Sequence, residues 1–165
     1  MIYERATEKE FIVLSDIKQH KWSGVSQHID KWLEHRTELL THYCKISNLP
    51  PYENPDNPTP TIQEINAFCA DLVDYVCEGH FEIYEEIITT YEEDHHEHMR
   101  LNKKVVPEIN KTTDEALAFN DKYSEITNEE SLIKIDEDLS ILGEVMELRF
   151  EMEDLLLEKL SEKNK

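Results

Sequence analysis

Apolar residues recur at spacings of three and four along most of this chain, and that period predicts amphipathic helices. The first helix is predicted from about Val25 to Ser47, with these apolar residues on one face: Ile29, Trp32, Leu33, Leu40 and Tyr43. It ends at a Pro-rich loop, 49–60, because proline cannot continue a helix. Thr61 then forms an N-cap with Glu64 as its reciprocal partner, and this pair begins a second helix that reaches about Glu93.

Two further helices complete the predicted fold. The third follows an acidic and His-rich connection at 92–106 and runs from Pro107 to about Ile126, with these anchors: Ile109, Ala116, Phe119 and Tyr123. The fourth extends from Ser131 to Ser161 and keeps a heptad register of apolar residues: Leu132, Ile135, Leu139, Leu142, Met146, Leu156 and Leu160. Four long helices with an apolar face each predict an all-α fold, an antiparallel up-and-down helical bundle that forms one domain over 1–165. Residues 1–24 are predicted as an N-terminal extension with a short helix around Glu8 to Lys18.

The second predicted helix carries two apolar rows instead of one. The core row consists of Ile65, Cys69, Leu72, Val76, Ile83 and Ile87. An offset row follows the same spacings and consists of Asp74, Cys77, Phe81, Tyr84 and Ile88. Elsewhere in the chain the apolar rows are flanked by charge, so a second apolar row indicates a surface that binds a partner.

Charged residues interrupt the apolar faces of two predicted helices. Arg36 lies on the core face of the first helix, and Arg149 and Glu153 occupy consecutive seam positions of the fourth. Because buried charge is costly unless it is paired, we predict a polar layer in which Arg36 meets Glu153 or Asp74, with His80 near the same level. Two interpretations remain open: the layer fixes the register of the helices, or it opens onto a cavity whose rim receives a partner.

The net charge of the chain restricts the classes of partner that it can bind. Thirty-seven acidic side chains against seventeen basic ones leave a formal net charge of -20. Such a surface repels phosphate backbones and anionic lipids, which argues against direct binding to nucleic acid or membranes, and it attracts basic proteins. No apolar run is long enough to span a membrane, and 1–25 lacks the apolar core of a signal peptide, so we expect a cytoplasmic protein.

Eight histidines raise the question of a metal site. His28, His35 and His42 recur at heptad spacing, but neighbours in this row are ~10.5 Å apart along a helix axis, too far to share one ion. The tract from Asp94 to His98 has two open interpretations, a weak zinc or nickel site and a solvated helix end. We favour the solvated helix end for this tract, and with the heptad spacing excluded we predict no metal site.

Catalytic signatures are missing from the sequence, which has no P-loop, no glycine-rich dinucleotide motif and no G-x-S-x-G motif. Cys77 and His80 have the spacing of a thiol and a base on one helix, but nothing supplies an oxyanion hole. We therefore predict no enzymatic activity and no cofactor. The chain has three cysteines, Cys44, Cys69 and Cys77. They are too few for a disulfide framework and fit a reducing compartment.

Three blocks of the sequence resemble one known family. LVDY followed by GHFEIYE, within Phe68 to Glu86, is similar to the centre of the Rsd/AlgQ family of anti-sigma factors. DKWLEHRTELLTHY, from Asp30 to Tyr43, resembles its first long helix, and LGEVMELRFEMEDLLL, from Leu142 to Leu157, resembles its last. The blocks have the same order and spacing as in the family, and the resemblance runs from about Ser26 to Leu160. It does not extend to 1–25, to the Pro-rich loop or to the acidic His-rich tract.

The resemblance implies an anti-sigma factor that binds the C-terminal promoter-recognition region of the housekeeping sigma factor. Asp74 and Phe81 match a family block and lie off the core row, so we expect them to bind the partner. Trp32, Arg36 and Tyr84 follow as further expected partner-binding residues, and Tyr84 has a second open interpretation as a core residue. The resemblance also implies two alternative partners, the phosphotransferase phosphocarrier protein and a guanosine-tetraphosphate hydrolase. A metal-binding bundle is a further alternative, and nothing in the residues selects among these roles.

Overall fold

The computed structural model describes residues 26–158 and Leu160, and this part of the chain is built from helices joined by short connections. The α-helices are α1 (Gln27–Ile46), α2 (Ile62–Glu78), α3 (Tyr84–Thr89), α4 (His95–Arg100), α5 (Val106–Tyr123) and α6 (Ile135–Leu157). π-helical turns at Gly79–Ile83 and Leu101–Val105 join α2 to α3 and α4 to α5, and a 3₁₀ turn at Glu129–Leu132 precedes α6. The long helical segments are therefore 27–46, 62–89, 95–123 and 135–157.

These segments run alternately up and down. Along α1, His35 contacts Glu78 and the later His42 contacts the earlier Asp71, so α1 and the second segment are antiparallel. The hydroxyl of Tyr43 donates to the carbonyl of Leu139 at 2.8 Å, while the earlier Arg36 reaches the later Asp154, so α1 and α6 are antiparallel as well. The prediction of an all-α helical bundle is confirmed.

Local sequence explains where the first two segments begin. The Ser26 hydroxyl accepts a hydrogen bond from the Ile29 amide at 3.1 Å and caps α1. At the start of α2, the Glu64 amide donates to the Thr61 hydroxyl at 3.2 Å, and the Glu64 carboxylate accepts from the Thr61 amide at 2.8 Å. This capping box, predicted from the spacing of the two residues, satisfies amide groups that a helix start leaves without intrahelical partners.

The third segment begins earlier than its sequence pattern predicts. The Asp94 carboxylate caps α4 by accepting from the Glu97 amide at 3.1 Å, so much of the predicted connection at 92–106 is helical. Pro107 does not start the segment but lies in the first turn of α5, directly after a π-helical turn. A missing amide is tolerated there, because the first-turn amides of an α-helix lack partners within the helix.

The core lies between the four segments and contains the predicted apolar faces. All six residues of the core row of the second segment are 0% exposed: Ile65, Cys69, Leu72, Val76, Ile83 and Ile87. The anchors of the third segment and the heptad residues of the fourth are buried with them. No helix in the described part of the chain has the length and apolar character needed to cross a membrane. The short helix predicted around Glu8 to Lys18 lies outside the described residues.

Candidate functional site

A buried cluster of charged and aromatic side chains lies inside the bundle, with the Glu153 carboxylate at its centre. Glu153 is 0% exposed. Its Oε1 accepts hydrogen bonds from Tyr75 Oη at 2.5 Å and from Arg36 Nη2 at 3.1 Å. Its Oε2 accepts from Tyr84 Oη at 2.5 Å and lies 3.4 Å from Arg149 Nε. One carboxylate from α6 therefore contacts side chains from three other helices.

All three nitrogens of the Arg36 guanidinium group donate hydrogen bonds. Beside the bond to Glu153, Nε donates to Tyr75 Oη at 3.1 Å and Nη1 donates to Asp154 Oδ1 at 2.8 Å. Burial by itself would lower the pKa of Arg36, but Tyr75, Glu153 and Asp154 together hold that pKa above its ordinary value. Arg36 is therefore a permanent cation in the interior, with two carboxylates and the Tyr75 hydroxyl as its acceptors.

Aromatic rings enclose this cation. The Trp32 ring is stacked on Tyr75, with centroids 5.7 Å apart and planes 4° apart, and it meets Tyr84 edge-on at 6.1 Å. The guanidinium carbon of Arg36 lies 5.2 Å from the Trp32 centroid and 4.9 Å from that of Phe150. These distances are in the range of cation–π attraction, which is strongest where water is excluded.

Arg149 connects the cluster to the third segment. It is 0% exposed, and its Nη1 donates to the hydroxyls of Thr112 at 3.1 Å and Thr113 at 2.6 Å. Its Nη2 donates to the carbonyl of Val76 at 3.3 Å. Within the described residues its Nε has no hydrogen bond, and only the longer ion pair with Glu153 compensates for its burial.

The chemistry of this cluster indicates a structural role. Burial, reinforced by Glu153, raises the pKa of Tyr75 and Tyr84 well above the ordinary value, so both phenols stay protonated and act as donors. Two arginines are balanced by two carboxylates, Glu153 and Asp154. All four long helical segments contribute a member, so the cluster sets how the segments pack against one another.

In contrast to the buried cluster, three residues of the second segment are exposed to solvent. We call these residues, Asp74, His80 and Phe81, the outer face. The Phe81 side chain is 71% exposed, a large exposed fraction for an aromatic residue. The His80 ring, also on the surface, meets the Phe81 ring edge-on at a centroid distance of 4.8 Å. Asp74 is exposed two turns earlier on α2. This face combines an apolar anchor with a negative charge.

The sequence model of one family, described as "Regulator of RNA polymerase sigma(70) subunit, Rsd/AlgQ", matches residues 13–161 of this chain. The chain belongs to the Rsd/AlgQ family. This confirms the resemblance drawn from three sequence blocks, and the match begins at residue 13, earlier than the resemblance at about Ser26, and spans the Pro-rich loop and the acidic His-rich tract. A family of regulators of a polymerase subunit is also consistent with a protein that is not an enzyme.

Several curated proteins named Regulator of sigma D are similar to this Rsd/AlgQ protein. The one from Yersinia enterocolitica is 35% identical over 140 residues, which cover 84% of this chain and 83% of that protein. One from Yersinia pseudotuberculosis is 34% identical over 140 residues, covering 84% of this chain and 82% of its own. The one from Sodalis glossinidius is 30% identical over 141 residues, covering 84% of this chain and 91% of its own.

The structure brings together some of the residues that the sequence analysis of this Rsd/AlgQ chain singled out. Arg36, Arg149 and Glu153 meet as a polar layer, and of the two acceptors considered for Arg36 it is Glu153 that bonds. His80, predicted near that layer, instead lies on the surface. Asp74 is exposed as well.

Three residues expected to bind a partner lie in the interior. Trp32 is 0% exposed, and Arg36 and Tyr84 are each 3% exposed. For Tyr84 the physical reason is the π-helical turn at Gly79–Ile83, which inserts one residue into the helix. The insertion rotates every later residue by about 100° and brings Tyr84 from the offset row into the core. In this conformation these three side chains present no surface to a partner.

Several members of the cluster are not among the residues predicted from the sequence, and Tyr75 and Asp154 make the strongest contacts of these. Tyr75 precedes the core residue Val76 on α2, and a tyrosine beside a core row is an available signal for a buried hydroxyl that needs a partner. Asp154 follows Glu153 and reads as one of many acidic surface residues, so its role depends on the packing of α1 against α6.

Proposed function

We propose that this Rsd/AlgQ protein binds the C-terminal promoter-recognition region of the housekeeping sigma factor and so keeps that factor from core polymerase or from promoter DNA. The observation that carries the proposal is the 71% exposure of Phe81 on the second segment, with Asp74 exposed two turns earlier on the same segment. Large aromatic side chains that bury on binding supply much of the energy of protein interfaces. Membership in a family of sigma(70) regulators supports the choice of partner.

The residues divide into two roles in this proposal. Asp74 and Phe81 contact the partner directly, the first as a charge that selects a basic side chain and the second as an apolar anchor. Trp32, Arg36 and Tyr84 act from the interior, because the cluster that they form with Glu153 supports the helix from which Phe81 projects. The three interior residues therefore position the outer face and do not touch the sigma factor.

Charge assists this encounter. The chain carries a formal net charge of -20, whereas modules that recognise promoter DNA are basic because they bind phosphates. Long-range attraction of this kind raises the association rate, and short-range apolar contacts set the residence time. The same charge disfavours direct contact with nucleic acid, so we propose that the protein acts on the sigma factor in the cytoplasm and not on DNA.

Calorimetric titration with the isolated C-terminal region of the host's housekeeping sigma factor, at low and high salt, tests the proposal. We expect stoichiometric binding that weakens with salt but persists, because apolar contacts are not screened. Phe81→Ala is expected to weaken binding at both salt concentrations by at least tenfold, as anchor residues do. Asp74→Asn should weaken it more at low salt than at high salt.

Matched variants separate a contact surface from a general loss of apolar area or charge. Ile133→Ala removes a side chain that is 83% exposed before α6, and Asp121→Asn removes an exposed charge on α5. Both are expected to bind like the unaltered protein. Equal losses in these controls, or unchanged affinity for Phe81→Ala with helicity intact, would contradict the assignment of the outer face.

The other partners implied by the resemblance, the phosphotransferase phosphocarrier protein and a guanosine-tetraphosphate hydrolase, receive no support from the comparisons. The named relatives are regulators of sigma D. We therefore keep the sigma factor as the proposed partner.

A further inference from the structure

Histidines of α1 meet carboxylates of the second segment along their shared edge. His28, His35 and His42 are each within hydrogen-bonding distance of one or two acidic side chains. His42 faces a single carboxylate, that of Asp71. Several carboxylates, in contrast, converge around His28.

The group around His28 has the dimensions of a cation site. One ligand atom from each of His28, Glu78 and Glu82 lies within 4.8 Å of the others, and His28 Nε2 is 3.0 Å from Glu82 Oε2. Ligands of a four-coordinate zinc ion lie about 3.3 Å apart, given zinc–ligand bonds of about 2.0–2.2 Å. Small side-chain movements are therefore enough to bring the three ligand atoms to one ion.

The surrounding hydrogen bonds are those that orient metal ligands. His28 Nδ1, the ring nitrogen that does not face Glu82, lies 3.0 Å from Glu86 Oε2. A metal-bound histidine commonly donates its second ring N–H to a carboxylate in this way, which fixes the ring and its tautomer. On the other side, His35 Nδ1 lies 2.6 Å from Glu78 Oε2 and holds that carboxylate in place.

The local charge also favours a cation. Glu78, Glu82 and Glu86 bring three carboxylates to this edge, and within 26–158 their ion pairs are with histidines only. Two imidazoles carry at most two positive charges against three carboxylates, so this edge keeps negative charge that a divalent ion would neutralise. Glu82 belongs to the π-helical turn Gly79–Ile83, and π-helical turns often mark functional sites.

We propose that His28, Glu78 and Glu82 form a site for a divalent transition-metal ion, with zinc as the fitting choice. One imidazole nitrogen and two carboxylate oxygens are ligands that zinc accepts, and solvent can supply the fourth, since the His28 and Glu82 side chains are 41% and 57% exposed. Glu86 and His35 orient the ligands. A bound ion would tie the first turn of α1 to the turn that carries Phe81. The site does not depend on which partner the protein binds.

The heptad histidines do not share one ion, because neighbours in the row are ~10.5 Å apart along α1. The proposed site uses only one of them as a ligand, and the remaining ligands come from another helix. Contacts between helices are not visible in the spacing along one helix, which is why the site emerges only after α1 packs against the second segment.

Zinc titration of the full-length, metal-free protein by calorimetry at pH 7.5 tests the proposal. Because the tract 94–98 also contains histidines, every sample carries His95→Ala and His96→Ala. We expect one zinc ion per chain in this background. His28→Ala and the near-isosteric Glu82→Gln are each expected to weaken zinc binding by at least tenfold, while circular dichroism shows unchanged helicity.

His42→Ala is the matched control, because His42 belongs to the same row and faces one carboxylate instead of several. It is expected to bind zinc like the background protein. The proposal is overturned by a background protein that binds no zinc, or by zinc affinities of the His28 and Glu82 variants that equal that of the His42 variant.

Discussion

The buried carboxylate of Glu153 links several helices of the bundle. Its two oxygens accept hydrogen bonds from Arg36, Tyr75 and Tyr84 and face Arg149 as an ion pair. A buried ion pair adds little net stability compared with a well-packed apolar core, but removing one partner leaves the other charge buried without compensation. Removing one member of the cluster is therefore expected to destabilise the protein by more than the complete cluster stabilises it.

Glu153→Gln tests this at the scale of the residue. The substitution keeps the size of the side chain and removes its charge, so Arg36 and Arg149 are left with Asp154 as the remaining carboxylate of the cluster. We expect the free energy of unfolding to fall by about 3–5 kcal/mol, measured by urea denaturation followed by circular dichroism.

Glu151→Gln is the control for this prediction, because Glu151 is exposed on the same helix. It is expected to change the free energy of unfolding by less than about 0.5 kcal/mol. Indistinguishable urea midpoints for the two variants would show that the charge of Glu153 contributes nothing to stability.

At the scale of the element, the π-helical turn at Gly79–Ile83 decides which side of the second segment faces inward. Up to Val76 the core row follows the α-helical period. Within the turn Ile83 is buried while Phe81 stays on the surface, and Tyr84, directly after the turn, is buried as well. A glycine opens this turn, and Tyr84 packs directly against it. A Cβ atom at position 79 would lie 2.9 Å from Tyr84 Oη and 3.0 Å from Tyr84 Cζ.

Gly79→Ala is accordingly expected to destabilise the protein, although the same change inside an ordinary helix stabilises it by roughly 0.5–1 kcal/mol. The added methyl group would push Tyr84 away from Glu153, and overpacking of this kind costs about 1–3 kcal/mol. Thermal and urea unfolding measure the effect.

A double-mutant cycle with Tyr84→Phe provides the control for Gly79→Ala. Removing the hydroxyl removes the closest atom, so the cost of the alanine should shrink in that background by about 0.5 kcal/mol or more. A stability equal to or above that of the unaltered protein for Gly79→Ala alone would mean that Tyr84 does not need the space beside position 79.

At the scale of the whole molecule, the dominant property is the excess of negative charge. A formal net charge of -20 on 165 residues repels itself in the compact state. The ions in the buried cluster are balanced two against two, so they do not relieve this repulsion. Dissolved salt screens exposed charges within about 8–10 Å at physiological concentrations and reaches buried pairs much less.

Stability should therefore rise with salt. Between 20 and 300 mM sodium chloride we expect a gain of about 1 kcal/mol, which corresponds to an increase in melting temperature of roughly 2–4 °C for a chain of this size. Differential scanning calorimetry measures the shift.

The double variant Glu92→Gln and Glu93→Gln serves as the comparison for the salt effect. Both residues are exposed, so replacing them removes two negative charges from the surface and reduces its self-repulsion. The variant is expected to melt higher at low salt and to respond less to added salt. A melting temperature that falls with salt in both proteins would contradict self-repulsion as the controlling term.

Much of the fold follows from the sequence alone. The period of the apolar residues determines the helices and the core row from Ile65 to Ile87, and the spacing of Thr61 and Glu64 determines how α2 begins. The sign of the surface charge and the family blocks are also properties of the sequence. These are local or compositional features, and they do not depend on how distant helices pack.

The tertiary structure decided which residues meet and which remain exposed. Phe81 and Tyr84 belong to one row in the sequence, yet the π-helical turn leaves the first 71% exposed and buries the second to 3%. Glu153 finds Arg36 and His28 finds Glu82 across more than fifty residues of chain. Helical periodicity assigns a residue to a face of its own helix, whereas a contact between helices depends on their relative position and rotation, which only packing determines.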